Sequence, residues 1–505
     1  MTDRSVEPTV TLENASELAA VDSNSVSIAK QLSLLEEEIA RERQRPFTQL
    51  GNYLMFQILT GLSQFSPPVP LKMASRFARS ASKKDPSRTL DGREGPLAKL
   101  DAPEPTRSEI GGGRLRDTQK QNILIVSHEA SLTGAPILAL NLVQRLSERY
   151  NITVLSLRGG EILESFRSSA VAVYTADKVG QFAFGRLIAG ICHNCNFAFA
   201  VVNTAEARGV LRHLRVERVR TVTLVHEFAS YIRQKNWRKT PFEEVFEGSS
   251  EVIFSTNLTL EAAQAKNPRI NMSKAHVFPQ GKCHAPRGAT AIAKSDDEKA
   301  RLNAALRSNL AVENRMVVLG AGTVELRKGV DLFIEMATRV LKMPGGENVS
   351  FFWIGSRYRP EQNWDYSGYL HDQLRRAGVD KRVIMLSETT EIELAYSLAD
   401  IFVLSSRLDP LPNVTIDAMS VGLPVICFEN ASGIANLLAD AGLKEECVAA
   451  YIDTHDMANK VLALATNPTL RAEVSARSRE YAAVTFDFDI YARRVEALGL
   501  NAVTL

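Results

Sequence analysis

From Asn122 onward the chain alternates short apolar runs with longer stretches in which apolar residues recur every three or four positions. NILIV, NITVLSL, VAVYTA, FAFAVVNT, TVTLVHE, EVIFST and AHVFPQ come first, then MVVLGAG, VSFFWIG, RVIMLSE, IFVLSS, PVICFE and CVAAYID. Each has the length and near-continuous apolarity of a strand covered on both faces. The stretches between most of them carry helical spacing: in ILALNLVQRLSERY, residues Ile137, Leu138, Leu140, Leu142, Val143 and Leu146 fall on one side. Strand and helix in alternation predict a doubly wound parallel α/β domain. The pattern breaks around Gly281 to Asp297, a Gly, Pro and Lys mixture that reads as a connection, and then restarts. Two Rossmann-like domains are expected, one over 122–290 and a second from 291.

The most informative stretch is Ile401 to Phe428. Apolar runs at Ile401–Leu404 and Pro424–Phe428 predict two buried strands. Pro410 and Pro412 bar a helix upstream, Pro412 suits a helix start, Val414, Ile416 and Met419 can face a sheet, and Gly422 ends the helix. A loop at a strand's carboxyl end therefore leads into a helix amino terminus, where free N–H groups and the dipole favour anions. Asp409 sits in that loop, and Asp417 follows eight positions later in the helix. Two acids beside an anion site are explained by the hydroxyl groups of a sugar or ribose. In GTVELRKGVDLF, Arg327 and Lys328 stand at another strand edge before a helix, where two fixed cations can neutralise a diphosphate. In SHEASLTGAP, Gly134 lies at a loop-to-helix turn that lets a ligand approach the backbone. His128 and His226 follow two strands of the first half at the carboxyl edge, as ligand contacts or as hydrogen-bonded structural histidines.

Composition narrows the chemistry. With 60 basic and 58 acidic side chains in 505 residues the net charge is +2, so no global field points to nucleic acid. G-x-G-x-x-G is absent, which removes the usual support for a nicotinamide or flavin enzyme, and no cofactor is expected. Cys192 and Cys195 have zinc spacing, but His193, Cys283 and His284 are the other local candidates, and buried thiols are the expectation rather than metal. Five scattered cysteines suit a reducing compartment. The polar, acidic start does not read as a secretory signal.

Residues 1–121 differ in composition and are read as an extension. Ile28, Leu32, Leu35 and Ile39 repeat at 4-3-4 spacing ahead of a charged run, predicting a short amphipathic helix or coiled-coil seam. No charged residue occurs from Pro46 to Leu71, and Arg41, Arg43 and Arg45 precede this run, with Lys72, Arg76, Arg79, Lys83 and Lys84 after it. Gly51, Asn52, Gln57 and Gly61 interrupt it, which argues against a membrane span. Residues 46–84 instead suit the surface of an anionic membrane, or a helix packed on its own domain. Residues 85–121 read as a linker.

Together HEASLTGAP, VHE, GTVELRKGVDLF and DPLPNVTIDAMSVGLPVI resemble bacterial family 4 glycosyltransferases, which are retaining enzymes of the GT-B fold. The resemblance runs from about Asn122 to the end of the chain. It implies two domains facing a cleft, with the acceptor mainly on 122–290 and the nucleotide sugar mainly on 291–485. The last segment, 486–505, is similar to the terminal helix that crosses back to the first domain. The resemblance places Asp409 on donor-sugar hydroxyls and His226 beside the sugar, both catalytic. It places Arg327 and Lys328 on the diphosphate, Asp417 on the ribose, and Asn413, Val414 and Gly134 beside the donor. Both acids are Asp where the family often has Glu, and Thr323 stands where many members carry Arg. The implied function is transfer of a sugar from a nucleotide-sugar donor to a glycan or lipid-linked acceptor in bacterial polysaccharide biosynthesis. The expected location is cytoplasmic, with the membrane-surface reading of residues 46–84 placing it peripherally at the inner membrane. Two alternatives stay open at this point: a nucleotide-sugar epimerase and a catalytically inactive sugar-binding scaffold.

Overall fold

A computed structural model describes residues 111–501, apart from residues 178, 229–239, 269, 287–311, 313, 363–365, 390 and 391. Of the expected extension over 1–121, residues 1–110, with the 4-3-4 seam and the segment 46–84, lie outside the described residues, as do residues 287–297 of the expected connection.

The first sheet has seven parallel strands: β1 (Asn122–Ser127), β2 (Asn151–Ser156), β3 (Ala172–Thr175), β4 (Phe197–Asn203), β5 (Thr221–Val225), β6 (Glu251–Phe254) and β7 (Ala275–Val277), in the order β3-β2-β1-β4-β5-β6-β7. The second has six: β8 (Met316–Ala321), β9 (Val349–Ile354), β10 (Val383–Leu386), β11 (Ile401–Leu404), β12 (Val425–Phe428) and β13 (Val448–Ala449), in the order β10-β9-β8-β11-β12-β13. All thirteen apolar runs are strands. They are parallel because each returns through a crossover that covers a face, which is why they read as continuous apolar segments rather than alternating ones. In β1 and β4, Leu124, Val126, Ala200 and Val202 enter one core, while Ile123, Ile125, Phe199 and Val201 enter the core on the opposite face.

Four helices position the site: α1 (Gly134–Leu146), α2 (Val330–Leu341), α3 (Asn413–Val421) and α4 (Phe488–Leu500). Of the apolar face expected in α1, Leu138, Leu140, Leu142, Val143 and Leu146 are buried, and Ile137 is half-buried. α2 buries Val330, Leu332, Phe333, Ile334, Met336, Ala337 and Val340 against the second sheet. The chain ends on the first domain: Tyr491, Ala492 and Val495 of α4 join its core. Ion pairs Arg145 to Asp489 and Arg149 to Glu496 flank this packing, and Tyr150 donates to Glu496 at 2.7 Å. Among the described residues no helix is long and apolar enough to cross a membrane.

One turn ties the second sheet to the site. Leu326–Lys328 form a short 3-10 turn that ends on Gly329, at φ 64° and ψ 39°, and α2 starts directly after it. A Cβ on Gly329 would lie 2.0 Å from the Ser405 carbonyl oxygen, at the end of the neighbouring β11. This left-handed corner has no room for a side chain, and it sets the distance between the Arg327–Lys328 turn and the loop after β11. Gly378, at φ 67°, has nothing within 4 Å of a built Cβ. Gly378→Ala is expected to cost only the left-handed strain of a non-glycine residue, about 1–2 kcal/mol. Gly329→Ala adds a backbone collision, so urea denaturation should show a clearly larger loss, and equal losses for the two variants would contradict the packing described.

Candidate active site

After β11 the chain cannot continue as a helix, because Pro410 and Pro412 intervene, and it crosses the sheet edge as a loop. Asp409 is pinned there by its own N–H, which donates to the Ala431 carbonyl at 2.8 Å, and by a bridge to Ser432 in the loop after β12. Its carboxylate is buried and lies 2.5 Å from Lys328 Nζ and 3.2 Å from Arg327 Nη1. The Ser406 hydroxyl donates to Oδ2 at 3.3 Å. A carboxylate offers about four lone-pair positions, so with Lys328 and Ser406 on Oδ2 and Arg327 on Oδ1, one position on Oδ1 is left. Arg327 also pairs with Glu325 at 2.8 Å. Arg407 forms a two-point fork on Asp331 at 2.8 and 2.7 Å, and its other bond reaches the Leu326 carbonyl. The expected residues Arg327, Lys328 and Asp409 are thus together, but the two cations engage the acid itself.

Asn413 opens α3, with Pro412 as a cap residue that provides no side-chain bond. The first N–H groups of the helix, those of Asn413 and Val414 among them, have no acceptor within the helix. The Val414 side chain packs on the second core, and its carbonyl accepts from Tyr396 Oη at 3.3 Å. Asn413 Nδ2 reaches across to the Gly134 carbonyl at 3.4 Å, where α1 of the first domain begins without a side-chain cap. Two helix amino termini therefore meet at the cleft, each favouring negative charge. Gln280, between the domains, donates to the Leu411 carbonyl at 2.9 Å and to Asn413 Oδ1 at 3.2 Å, and its buried Oε1 has no hydrogen-bond partner.

Asp417, in the middle of α3, shares no hydrogen bond with Asp409. Burial pushes its carboxyl up to about 7, Lys282 opposes the shift, and Glu393 adds to it. Lys282 lies near the end of the first domain, and its backbone N–H donates to the Phe486 carbonyl at 2.8 Å. Neither Lys282 nor Gln280 had a distinctive motif in the sequence. Their place in a segment that returns to the first domain just before the connection was the available signal.

In the first domain, His226 follows β5. Its Nε2 lies 3.1 Å from Asn203 Oδ1, at the end of β4. Asn203 Nδ2 donates to the Ala135 carbonyl in the first turn of α1 at 2.7 Å. Burial lowers the imidazole to about 4, with His128 adding to the effect, so His226 is neutral at physiological pH. His128 is also held low by burial, and its Nδ1 is buried without a hydrogen-bond partner. Next to His226, burial raises Glu227 to about 7 against hydrogen bonds from Thr204 and the His226 N–H. Glu227 stands in the VHE motif, where the acid drew no role from the sequence.

Among the described residues no group of three or more possible metal ligands includes Cys192 or Cys195. Cys195 is buried and takes a bond from Arg116 at 2.8 Å, and burial pushes the Cys192 thiol up to about 12.

Residues 313–467 match the family model described as glycosyl transferases group 1. An alpha-galactosylglucosyldiacylglycerol synthase of Streptococcus pneumoniae is 28% identical over 124 residues, 24% of this chain and 31% of that protein. A mannosylfructose-phosphate synthase of Agrobacterium fabrum is 29% identical over 123 residues, 24% of this chain and 27% of that protein. The chain spans less than half the length of the curated relatives it matches. The Anabaena protein HepE, solved in complex with UDP-glucose, superposes with a TM-score of 0.61 at 21% identity, over 76% of this chain and 100% of that one. These matches leave the epimerase reading unsupported. The second domain thus matches the glycosyl transferases group 1 model over residues 313–467, and the two parallel sheets share the GT-B fold of such structures.

Proposed function

We propose that this chain is a retaining glycosyltransferase that moves a sugar from a nucleoside diphosphate sugar to a glycan or lipid-linked acceptor. The observation that carries the reading is the convergence of Arg327, Lys328 and Asp409 at 3.2 and 2.5 Å beside the α3 amino terminus, which faces Gly134 of the opposite domain. An inactive scaffold gains nothing from burying Asp409 and drawing two cations onto it at one sheet edge, since removing a charge from water is costly. The complex of HepE with UDP-glucose makes UDP-sugars the first donors to test.

As the anomeric C–O bond stretches, negative charge grows on the departing diphosphate. Arg327, Lys328 and the first N–H groups of α3 are fixed donors for it, so their stabilisation requires little reorganisation. Asp409 aims both cations, and the remaining lone pair on Oδ1 accepts a hydroxyl of the donor sugar. Neutral His226 approaches the same sugar from the first domain. The acceptor hydroxyl attacks on the face the phosphate leaves, and the phosphate oxygen takes its proton. Asp417 holds the ribose once ionised, with Lys282 favouring that form. Residues 46–84 bring the enzyme to an anionic membrane on the cytoplasmic side, where a polysaccharide precursor would be built. An uncharged run between basic flanks supports this part of the proposal.

Asp409→Asn removes the charge that orders both cations, and should lower kcat by roughly a hundredfold or more while changing donor KM much less. The measurement is transfer from a nucleotide-sugar panel with variants shown to be folded by circular dichroism, and full activity in this variant would sink the assignment. Asp417 gives a pH signature. Its ordinary value of 3.8 is raised to about 7, so as pH climbs through that window the unfolded chain ionises first and folding stability falls, levelling off above about 7. Asp417→Asn should flatten that slope in denaturation series, and an unchanged slope would count against the buried acid. For the amino-terminal segment, full-length protein should sediment with anionic vesicles at low salt and be released as salt rises, whereas indifference to such vesicles would end the surface reading.

A further inference from the structure

We propose that Asn203 is a positioning residue that fixes the tautomer of His226, presenting Nδ1 to the substrate as a hydrogen-bond acceptor. This rests on the proposed glycosyl transfer for its functional meaning, but its structural part stands by itself. Asn203 ends β4, between β1 and β5 where the strand order reverses direction, at the point where open α/β sheets hold ligands. It is fully buried and bonded at both ends of its amide.

The argument is one of donors and acceptors. The Ala135 oxygen, 2.7 Å away, is a carbonyl and can only accept, so the amide group facing it is the NH2. The other end of the amide, 3.1 Å from His226 Nε2, is then the carbonyl oxygen. An acceptor there requires a proton on Nε2. In a neutral imidazole the lone pair must then be on Nδ1. No hydrogen bond from protein to Nδ1 occurs among the described residues. A hydroxyl-rich ligand donates to such an atom, whereas the other tautomer would present a donor and repel the same hydroxyl proton. Because the Ala135 carbonyl is in the first turn of α1, directly after Gly134, Asn203 also ties the imidazole to the backbone that meets Asn413 of the second domain. The bonds form a chain from His226 through Asn203 and the α1 start to Asn413 and Gln280.

The test uses full-length protein with 15N-labelled histidine. Wild type should show His226 as the Nε2–H tautomer by long-range 1H–15N correlation, assigned by its loss in His226→Gln. Asn203→Ala should shift the resonance toward a tautomer mixture. Asn203→Asp keeps an acceptor toward the imidazole while losing the donor toward Ala135, so it should retain Nε2–H and separates tautomer control from tethering of α1. In transfer assays, Asn203→Ala should lower kcat by roughly 10- to 100-fold with a smaller change in KM. Combined with His226→Gln it should add little, because residues that act through one another are not additive. An Nδ1–H wild type, an unmoved tautomer in folded Asn203→Ala, or full additivity in the double variant would each overturn the proposal. Absence of glycosyl transfer with every donor would overturn the proposed function while leaving the tautomer result to be read from the spectra.

Discussion

Asp409, buried with the half-buried Lys328 and Arg327 against it, constrains everything around it. A carboxylate removed from water is tolerated only when paired and hydrogen-bonded, and here its partners come from a separate turn, Lys328 standing 81 positions earlier in the chain. The two segments must therefore be held in register by something other than the charges. Gly329 against the Ser405 carbonyl does this by close approach, the Arg407 N–H to the Arg327 carbonyl at 2.9 Å does it by a backbone bond, and the Arg407 fork on Asp331 braces the start of α2. Parallel strands β8 and β11 lie side by side, so both loops leave the same sheet edge. The fold supplies the juxtaposition, and the charges use it.

The second domain carries Arg327, Lys328 and the α3 amino terminus, and the first brings Gly134 and Gln280 to the same edge. Asn413 and Gly134, Gln280 and Leu411, and Gly433 packed against Thr256 bring the two edges together. α4 returns to the first core and its neighbour segment holds Lys282 near Asp417, where the lysine opposes the upward shift that burial imposes on the acid.

Much of this was legible in the chain. The apolar runs gave all thirteen strands, since a strand buried on both faces has no polar alternation to obscure it. The helix after Pro412 and its stop at Gly422, at φ 86°, followed from backbone chemistry. The identity of the charged residues was readable, but their pairing was not. Sequence spacing does not show that Arg327 and Lys328 bond Asp409 across two strands. Asn203 was invisible for a similar reason: an asparagine at the end of an apolar run has no pattern, and its role appears only when β1, β4 and β5 are neighbours. Val414 packs on the core, so its backbone N–H is the group it leaves at the helix start.

The central claim is that this edge binds the diphosphate of a nucleotide sugar. Calorimetric affinities of a nucleoside and of its diphosphate, in wild type and in a folded Arg327→Met/Lys328→Met variant, test it most directly. The account predicts that the wild type prefers the diphosphate by a wide margin, since hydrogen bonds to charged groups contribute about 1.5–3 kcal/mol each, and that the variant loses most of this preference while still binding the nucleoside. Equal affinity of the wild type for the two ligands, or an undiminished preference in the variant, would contradict it.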